Sequence, residues 1–224
     1  MRRLALAGAL CCGLSVVAAA CSSSGGLASE SPSQILSAVH QAVVSASSVR
    51  ITGYATEGGK LTTADFTAYS NGNFTGTIGH NGATAQVVGI GGTVYLNASK
   101  SFYTEQRASA AAASLLGGKW VYGSNSQIGL GTTFTLSSLA SQIAKSKGAV
   151  TKGTTGTVQG QAAVSLHNSE GTLWVATSGP AYPLEEVQTA NGSGTVHFVA
   201  WNQGSPPTAP AGAQSLSSLE SSLS

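Results

Sequence analysis

The sequence predicts an α+β domain in which a single curved antiparallel sheet of about ten strands wraps a few helices. Three observations lead there. Two long tracts alternate apolar and polar residues and are punctuated by Gly-Gly and Asn-Gly pairs. In the first tract one face is apolar and the other is rich in threonine. Shorter stretches before and between the tracts carry apolar residues at helical spacing instead. Alternating runs closed by Asn-Gly or Gly-Gly are the signature of hairpins. A sheet that is dry on one face must be covered by helices or closed into a barrel.

The chain opens with Arg2 and Arg3, an uncharged apolar run over 4–17, and the small residues Ala18-Ala19-Ala20. These are the basic start, apolar middle and cleavage site of an export signal, expected over 1–20. The run is shorter than the roughly 20 apolar residues a membrane span needs. Cys21 follows, then Ser-Ser-Ser-Gly-Gly, a composition suited to a flexible tether over 21–31. The stretch resembles the bacterial lipobox, usually Leu-Ala-Gly/Ala-Cys, with Ala18 where Leu is commonest. The resemblance implies that Cys21 begins the mature chain and carries a thioether-linked diacylglyceryl group. Two acyl chains anchor stably where one holds only marginally. The expected location is then the outer face of the cell membrane. The alternative is an ordinary signal peptide with an incidental cysteine. Cys11 and Cys12 lie in the discarded run. The mature chain therefore has no partner for a disulfide and no paired thiolates for a metal.

About 200 residues remain, enough for one domain that buries roughly 70% of its unfolded surface. The formal charge of +2 comes from ten Lys and Arg against eight Asp and Glu, and Arg2 and Arg3 account for it. A neutral, charge-poor mature chain argues against nucleic acid as a partner.

Taken in order, the main domain spans 32–202. A helix is expected over 32–47, with Ser31 as N-cap, Pro32 at the first helical position and a stripe of Ile35, Leu36, Val39, Ala42 and Val43. His40 borders that stripe. Strands are expected over 49–56, 61–69, 74–80, 83–90 and 93–98, separated by Gly58-Gly59, Asn71-Gly72-Asn73, Asn81-Gly82 and Gly91-Gly92. Their apolar face carries Ile51, Ala64, Phe66, Phe74, Ile78, Val87, Val94 and Leu96; the other carries Arg50, Thr52, Thr63, Asp65, Thr75 and Thr77. Phe102-Tyr103-Thr104 reads as a further short strand. An alanine-rich helix over 108–116 ends at Gly117-Gly118. Residues 119–122 return as strand. A third helix is expected over 135–147, with Leu136, Leu139 and Ile143 as its stripe and Lys145 and Lys147 near its C-terminus. Strands then follow over 150–158, 162–167, 173–177, 184–189 and 194–201. The tail 203–224, rich in Pro, Ser and Ala, is expected to be loose, with Leu216, Leu219 and Leu223 at the spacing of one short helix.

The chemistry-bearing residues form no enzyme constellation. The histidines His40, His80, His167 and His197 share no metal-ligand spacing, and Asp65 is the only aspartate. No Gly-x-Ser-x-Gly elbow is present, and Gly89-Ile-Gly-Gly92 and Gly129-Leu-Gly131 lack the Lys-Ser/Thr of a phosphate loop. Glu185 and Glu186 are adjacent on a strand, so their side chains face opposite ways and cannot share a site. The expectation is a protein with no catalytic residues, no metal and no cofactor. Trp120, Trp174 and Trp201 either fill the core or rim a pocket for an apolar ligand. Asn73-Phe-Thr, Asn97-Ala-Ser and Asn191-Gly-Ser fit the glycosylation triplet but also mark turns.

Gly92-Thr-Val-Tyr-Leu96, Leu116-Gly-Gly-Lys-Trp-Val121 and the run from Gly171 to Leu184 (Gly-Thr-Leu-Trp-Val-Ala-Thr-Ser-Gly-Pro-Ala-Tyr-Pro-Leu) resemble actinobacterial lipoproteins of the LppX/LprG-like group. These look in turn like the LolA/LolB lipoprotein carriers and the sensor domain RseB. The similarity covers roughly 32–213. It implies an open, unclosed antiparallel β-barrel of about 10–11 strands, with about three helices covering the concave face. It also implies a lipid, glycolipid or other amphiphile held between sheet and helices, and no shared catalytic residues. The expected hydrophobic lining is Ile51, Phe66, Phe74, Ile78, Val87, Leu96, Leu136, Leu139, Leu173, Val175 and Phe198. The competing reading is a sensor or scaffold that binds an envelope protein, or a transporter, through the outer sheet face or a sheet edge.

Overall fold

The computed structural model describes residues 26–128, 135–144, 149–190 and 192–221. The export signal, Cys21, Lys145, Lys147 and Leu223 lie outside them. Among the described residues no helix is long and apolar enough to cross a membrane.

Helix α1 (Pro32–Ser45) begins as its sequence requires. Ser31 Oγ accepts from the Gln34 amide, and Gln34 Oε1 accepts in return from the Ser31 amide, a capping box that satisfies two otherwise orphaned donors. Ile35, Val39 and Val43 are fully buried along one side. The first meander is β1 (Ser48–Glu57), β2 (Lys60–Tyr69), β3 (Phe74–His80), β4 (Ala83–Ile90) and β5 (Thr93–Ala98). Its Gly58-Gly59 and Asn81-Gly82 turns take positive φ at both positions, the hand that two-residue hairpins need. Helices α2 (Lys100–Glu105) and α3 (Ala110–Leu116), strand β6 (Trp120–Ser124), and helices α4 (Asn125–Ile128) and α5 (Leu136–Ala144) follow. The second meander is β7 (Thr151–Val158), β8 (Gln161–His167), β9 (Gly171–Ala176), β10 (Pro183–Gln188) and β11 (Ser193–Val199), and the chain finishes with β12 (Gln214–Ser215) and α6 (Leu216–Glu220).

All twelve strands form one sheet in the order β12-β6-β5-β4-β3-β2-β1-β11-β10-β9-β8-β7. It is not closed, so β12 and β7 are its edges. Every pairing is antiparallel except β12 with β6. The two meanders join where β1 pairs with β11, placing Ile51 opposite Phe198. One row of residues then crosses the sheet: Phe198, Ile51, Phe66, Gly76, Val87, Leu96 and Val121 stand side by side. This is the apolar face expected from the alternation, extended to β6 and β11.

That face is covered in two halves. Helices α1 and α5 lie over β1, β8, β9 and β11 and bury a cluster that includes Val49, Val164, Leu166, Val175 and Phe198. Helices α2 and α3 lie over β3–β6 and bury Val87, Val94, Leu96, Phe102, Tyr103 and Val121. A small third cluster of Ala163, Ala176 and Leu184 sits beneath Trp174, whose ring rests 3.3 Å from where a Gly156 Cβ would be.

The structure differs from the sequence expectation in four places. Phe102-Tyr103-Thr104 is helical, not extended: Ser99 Oγ accepts from the Phe102 amide and starts α2, which turns both aromatic rings onto the sheet. The strand count is twelve because the tail adds β12. That tail is held rather than loose. Asn202 Oδ1 accepts from the Ser47 amide, Ser48 Oγ donates to the Gln203 carbonyl, and Ser217 Oγ accepts from Gln127 Nε2. Finally, the stretch expected as tether already packs onto the core at Leu27 and Ala28, in a 3-10 turn over Leu27–Ser29. Lys152 Nζ fixes that turn by donating to the Ala28 and Glu30 carbonyls.

Candidate functional site

Cross-strand pairing decides which apolar residues fill space and which leave it open. On β3 and β4, Gly76 and Gly89 sit in the middle of the apolar face. Any Cβ at Gly89 would collide with the Phe74 ring, and one at Gly76 would collide with Phe66. The Phe74 ring therefore lies across a glycine hollow in the sheet, while Gly76 lets β2 approach closely at Phe66. Under α2 and α3, Phe74, Ile78, Val87 and Leu96, all expected to line a ligand space, are packed into the second cluster. They line none of the described cavities. Val175 is likewise fully buried in the first cluster.

The other half of the sheet is not filled. One cavity, of about 260 Å3, lies between β1, β2, β10 and β11 and helix α5. Its floor is Ile51, Gly53, Ala64, Phe66, Val196 and Phe198, and Leu139 and Gln142 of α5 close it from above. The floor is low for a physical reason: Gly53 and Ala64 pair directly, so two adjacent positions carry little or no side chain. Gly53 has no freedom to be larger, since a Cβ there would meet the Thr195 carbonyl of β11. The second cavity, of about 390 Å3, lies on the other side of α5. Leu36, Leu139, Ile143, Val150, Leu166 and Leu173 form its apolar wall. His167, Asn168, Glu170, Thr172, Glu186 and Gln188 line its polar side. The second volume lies inside, and the first just below, the range typical of small-molecule sites, about 300–1,000 Å3.

Of the expected lining, the structure thus brings Ile51, Phe66, Leu139 and Phe198 together in the first cavity, and Leu139 and Leu173 in the second. Leu136 is buried and borders a third hollow of about 320 Å3, beside Val44 and the Asn71-Gly72 turn. None of the three tryptophans lines these three cavities. Trp201 stacks on Tyr182 with ring centroids 4.2 Å apart, and Trp174 belongs to the third cluster. Of the two roles open to the tryptophans, both of these take packing.

Leu139, Gln142 and Glu186 are common to the two cavities and form the wall between them. Glu186 was not expected here, although the alternation on β10 contains the signal. Glu185 and Glu186 do face opposite ways. Glu185 pairs with His197 at 3.3 Å on the outer face, while Glu186 stands between Val196 and Leu173 on the inner one. Its carboxyl reaches solvent through the open cavities, yet sheet and helix crowd it. That loss of hydration pushes its pKa above the ordinary glutamate value, and the charge of Glu170 adds to the rise. His167 is held in place by Ser165 Oγ, 3.0 Å from Nε2, and Thr172 Oγ1, 2.9 Å from Nδ1. On the outer face Arg50 and Asp65 form a two-pronged ion pair at 2.8 and 2.7 Å, whose hydrogen bonds draw the Asp65 pKa down.

No family model matches the chain, and no curated protein does. Solved structures similar to it include two from mycobacteria. LprF from Mycobacterium bovis superposes with a TM-score of 0.60 at 16% identity, over 82% of this chain and all of that one. The Mycobacterium tuberculosis lipoprotein LppX superposes with a TM-score of 0.52 at 14% identity, over 77% of this chain and 96% of that one. The chain has the fold of these lipoproteins, and the resemblance read from its strand and turn motifs is borne out at that level.

Proposed function

We propose that this protein is an exported lipoprotein, anchored through lipidated Cys21 to the outer face of the cell membrane, that binds a lipid or other amphiphile between α5 and the sheet. The observation that carries the reading is the pair of cavities flanking α5. An apolar hollow over Ile51, Phe66 and Phe198 shares a wall with a larger one whose rim is polar. Such a sequence of surfaces matches a molecule with an apolar chain and a polar head. Burying the chain needs only apolar area, at about 25 cal/mol per Å2, and no catalytic group. The fold shared with LprF and LppX supports the same reading.

The test is native mass spectrometry of the domain produced without Cys21, before and after organic extraction, from the native host and after loading with mixed lipids. A bound amphiphile removed by extraction is the expected result. Empty protein under both conditions would overturn the reading.

A second reading, protein recognition along the sheet edge, is favoured by one observation. Strand β7 is an edge strand of eight residues, exposed along seven of them, with its outer backbone groups unpaired by the sheet. Such edges accept an added strand from a partner. Capture of one stoichiometric envelope protein by cross-linking from β7, with no amphiphile in the cavities, would establish this reading in place of the first.

A further inference from the structure

From the point where the chain enters the sheet, we propose that the uncharged end of the sheet rests on the bilayer that holds Cys21, so that the two cavities flanking α5 face away from that bilayer. The inference rests on the anchor and amphiphile-binding readings above and adds an orientation to them.

The antiparallel register divides the turns between two ends of the sheet. At one end lie the turns over 70–73, 91–92, 159–160 and 177–182, together with the start of the tail at Ala200. At the other lie the turns over 58–59, 81–82 and 168–170. The described chain enters at the first end, where a Cβ on Gly26 would stand 3.8 Å from the Thr177 carbonyl, before Leu27 and Ala28 pack onto the core. Cys21 stands five residues earlier, so at most about 3.6 Å per residue keeps its lipid within about 18 Å of that end. The tail crosses the same end: Asn202 Nδ2 donates to the Tyr182 hydroxyl, Ser48 Oγ donates to the Gln203 carbonyl, and Gly204 lies against the Tyr69 hydroxyl.

The two ends differ in charge. The turns of the first end and the tail over 200–213 contain no aspartate, glutamate, lysine, arginine or histidine. At the second end Glu57 and Lys60 flank one turn, Glu105 accepts from Asn81 in the next, and His167 and Glu170 bound the third. A tether this short holds the domain against the surface, and the cost of lost hydration then decides which end meets it. Ionised side chains lose most on leaving water, so the uncharged end meets headgroups at the smaller cost. The stacked pair of Tyr182 and Trp201 lies at this end, and both residue types favour the headgroup layer. The cavities lie toward the other end. Tyr54, Ala55, Thr62 and Thr63 line the smaller one beside the 58–59 turn, and His167, Asn168 and Glu170 line the larger. The six residues of β9, about 20 Å of strand, separate the larger cavity's rim from the tethered end. Cargo therefore exchanges with a partner on the far side of the protein instead of passing straight from the anchoring leaflet.

The chain from Cys21 onward contains no other cysteine, so Cys21 can be coupled chemically to a maleimide lipid in phosphatidylcholine vesicles. A fluorescent amino acid is built in at Ser178, exposed at the uncharged end, or at Ser169, exposed in the turn at the charged end. Quenching by a lipid with a spin-labelled headgroup reads which site meets the surface. The expected result is at least threefold stronger quenching at Ser178 than at Ser169. Ser70→Glu combined with Ser205→Glu places two charges at the resting end. On vesicles containing phosphatidylglycerol the ratio for that variant should fall toward one at low salt and recover at high salt, where the charges are screened. Circular dichroism checks that the variant is folded; should it not fold, the wild-type comparison decides alone. Equal quenching at the two sites in wild type, stronger quenching at Ser169, or a ratio unmoved in the folded double variant would overturn the orientation and leave the anchor and amphiphile binding standing. Those outcomes are independent of lipidation in cells because the coupling is chemical. Retention of Cys21→Ser in the membrane fraction of the native host would overturn the anchor itself.

Discussion

Ala64→Leu is the sharpest perturbation of the proposed site. Ala64 lies on the floor of the 260 Å3 cavity and is paired with Gly53, so a larger side chain there rises into open space. The scale follows from general values: each buried methylene contributes about 0.8 kcal/mol and fills about the space of one water in the liquid, about 30 Å3. The cavity's 260 Å3 then holds about eight methylenes. For wild type, binding of 1-alkanols should strengthen about fourfold per added carbon and level off near eight carbons. Leucine adds three carbons at Ala64 and removes room for about three methylenes. An eight-carbon alcohol should lose about 2.4 kcal/mol, roughly 60-fold in Kd, while a four-carbon alcohol should bind as before. Competition against a fluorescent fatty probe reads the series, and circular dichroism with a melting curve confirms that the variant is folded. If folded Ala64→Leu binds octanol within threefold of wild type, the chain does not enter this cavity. A wild-type series still strengthening beyond twelve carbons would show that the bound volume extends well past the cavity described.

Other outcomes follow from the same geometry. Phe198 is 2% exposed at the junction of the two meanders, so Phe198→Ala should cost about 3–5 kcal/mol in urea denaturation. Phe66→Ala and Phe74→Ala should separate binding from packing. The first opens the cavity floor and weakens alkanol binding, whereas the second empties the hollow above Gly89 and lowers stability by about 2 kcal/mol with binding unchanged. Glu186 shares its space with Glu170 and His167, and its raised pKa means that the folded state holds the proton more tightly than the unfolded chain. The ionised carboxylate therefore opposes folding above the folded pKa, and the penalty fades as pH falls through it. Glu186→Gln should melt higher than wild type at pH 8, with the gap closing toward pH 4; a constant gap would refute the titration of Glu186 as its cause. Cys21→Ser should release the protein from the membrane fraction while leaving the melting curve of the domain unchanged, and retention in that fraction would remove the anchor from the reading.

Much of the fold was legible because its signals are local. Gly58-Gly59 and Asn81-Gly82 specify hairpins through backbone hand, and the alternation from Ile51 to Leu96 specifies which face is dry. Ser31 and Gln34 announce the start of α1 three residues apart. The elements misread are those in which a distant contact overrides the local pattern. Phe102-Tyr103-Thr104 has aromatic and β-branched residues that suit a strand, yet Ser99 caps it as a helix and both rings are buried by the sheet. The tail carries no strong periodicity; Asn202 and Ser48 hold its start, and β12 is parallel to a strand more than ninety residues away.

The site was legible only in part, because apolarity marks a face and says nothing about whether the space above it is filled. Phe74 and Phe66 look equivalent in sequence, and both lie beside a glycine of the neighbouring strand. What separates them is the cover. Over Phe74 the α2–α3 pair brings Phe102, Tyr103 and Ala113 down onto the sheet, and the space closes. Over Phe66 the cover is α5, where Leu139 and Gln142 meet Gly53 and Ala64 instead of bulky partners. Small residues on a floor leave room only where the roof does not descend, and the roof is set by pairings between elements far apart in the chain. The same logic explains why Glu186, singled out with Glu185 in the sequence, was not placed at the cavities. An acid on an alternating strand is ordinary at the surface, and its position beside both cavities follows only once β10 is known to lie between β9 and β11, with α5 on that side of the sheet.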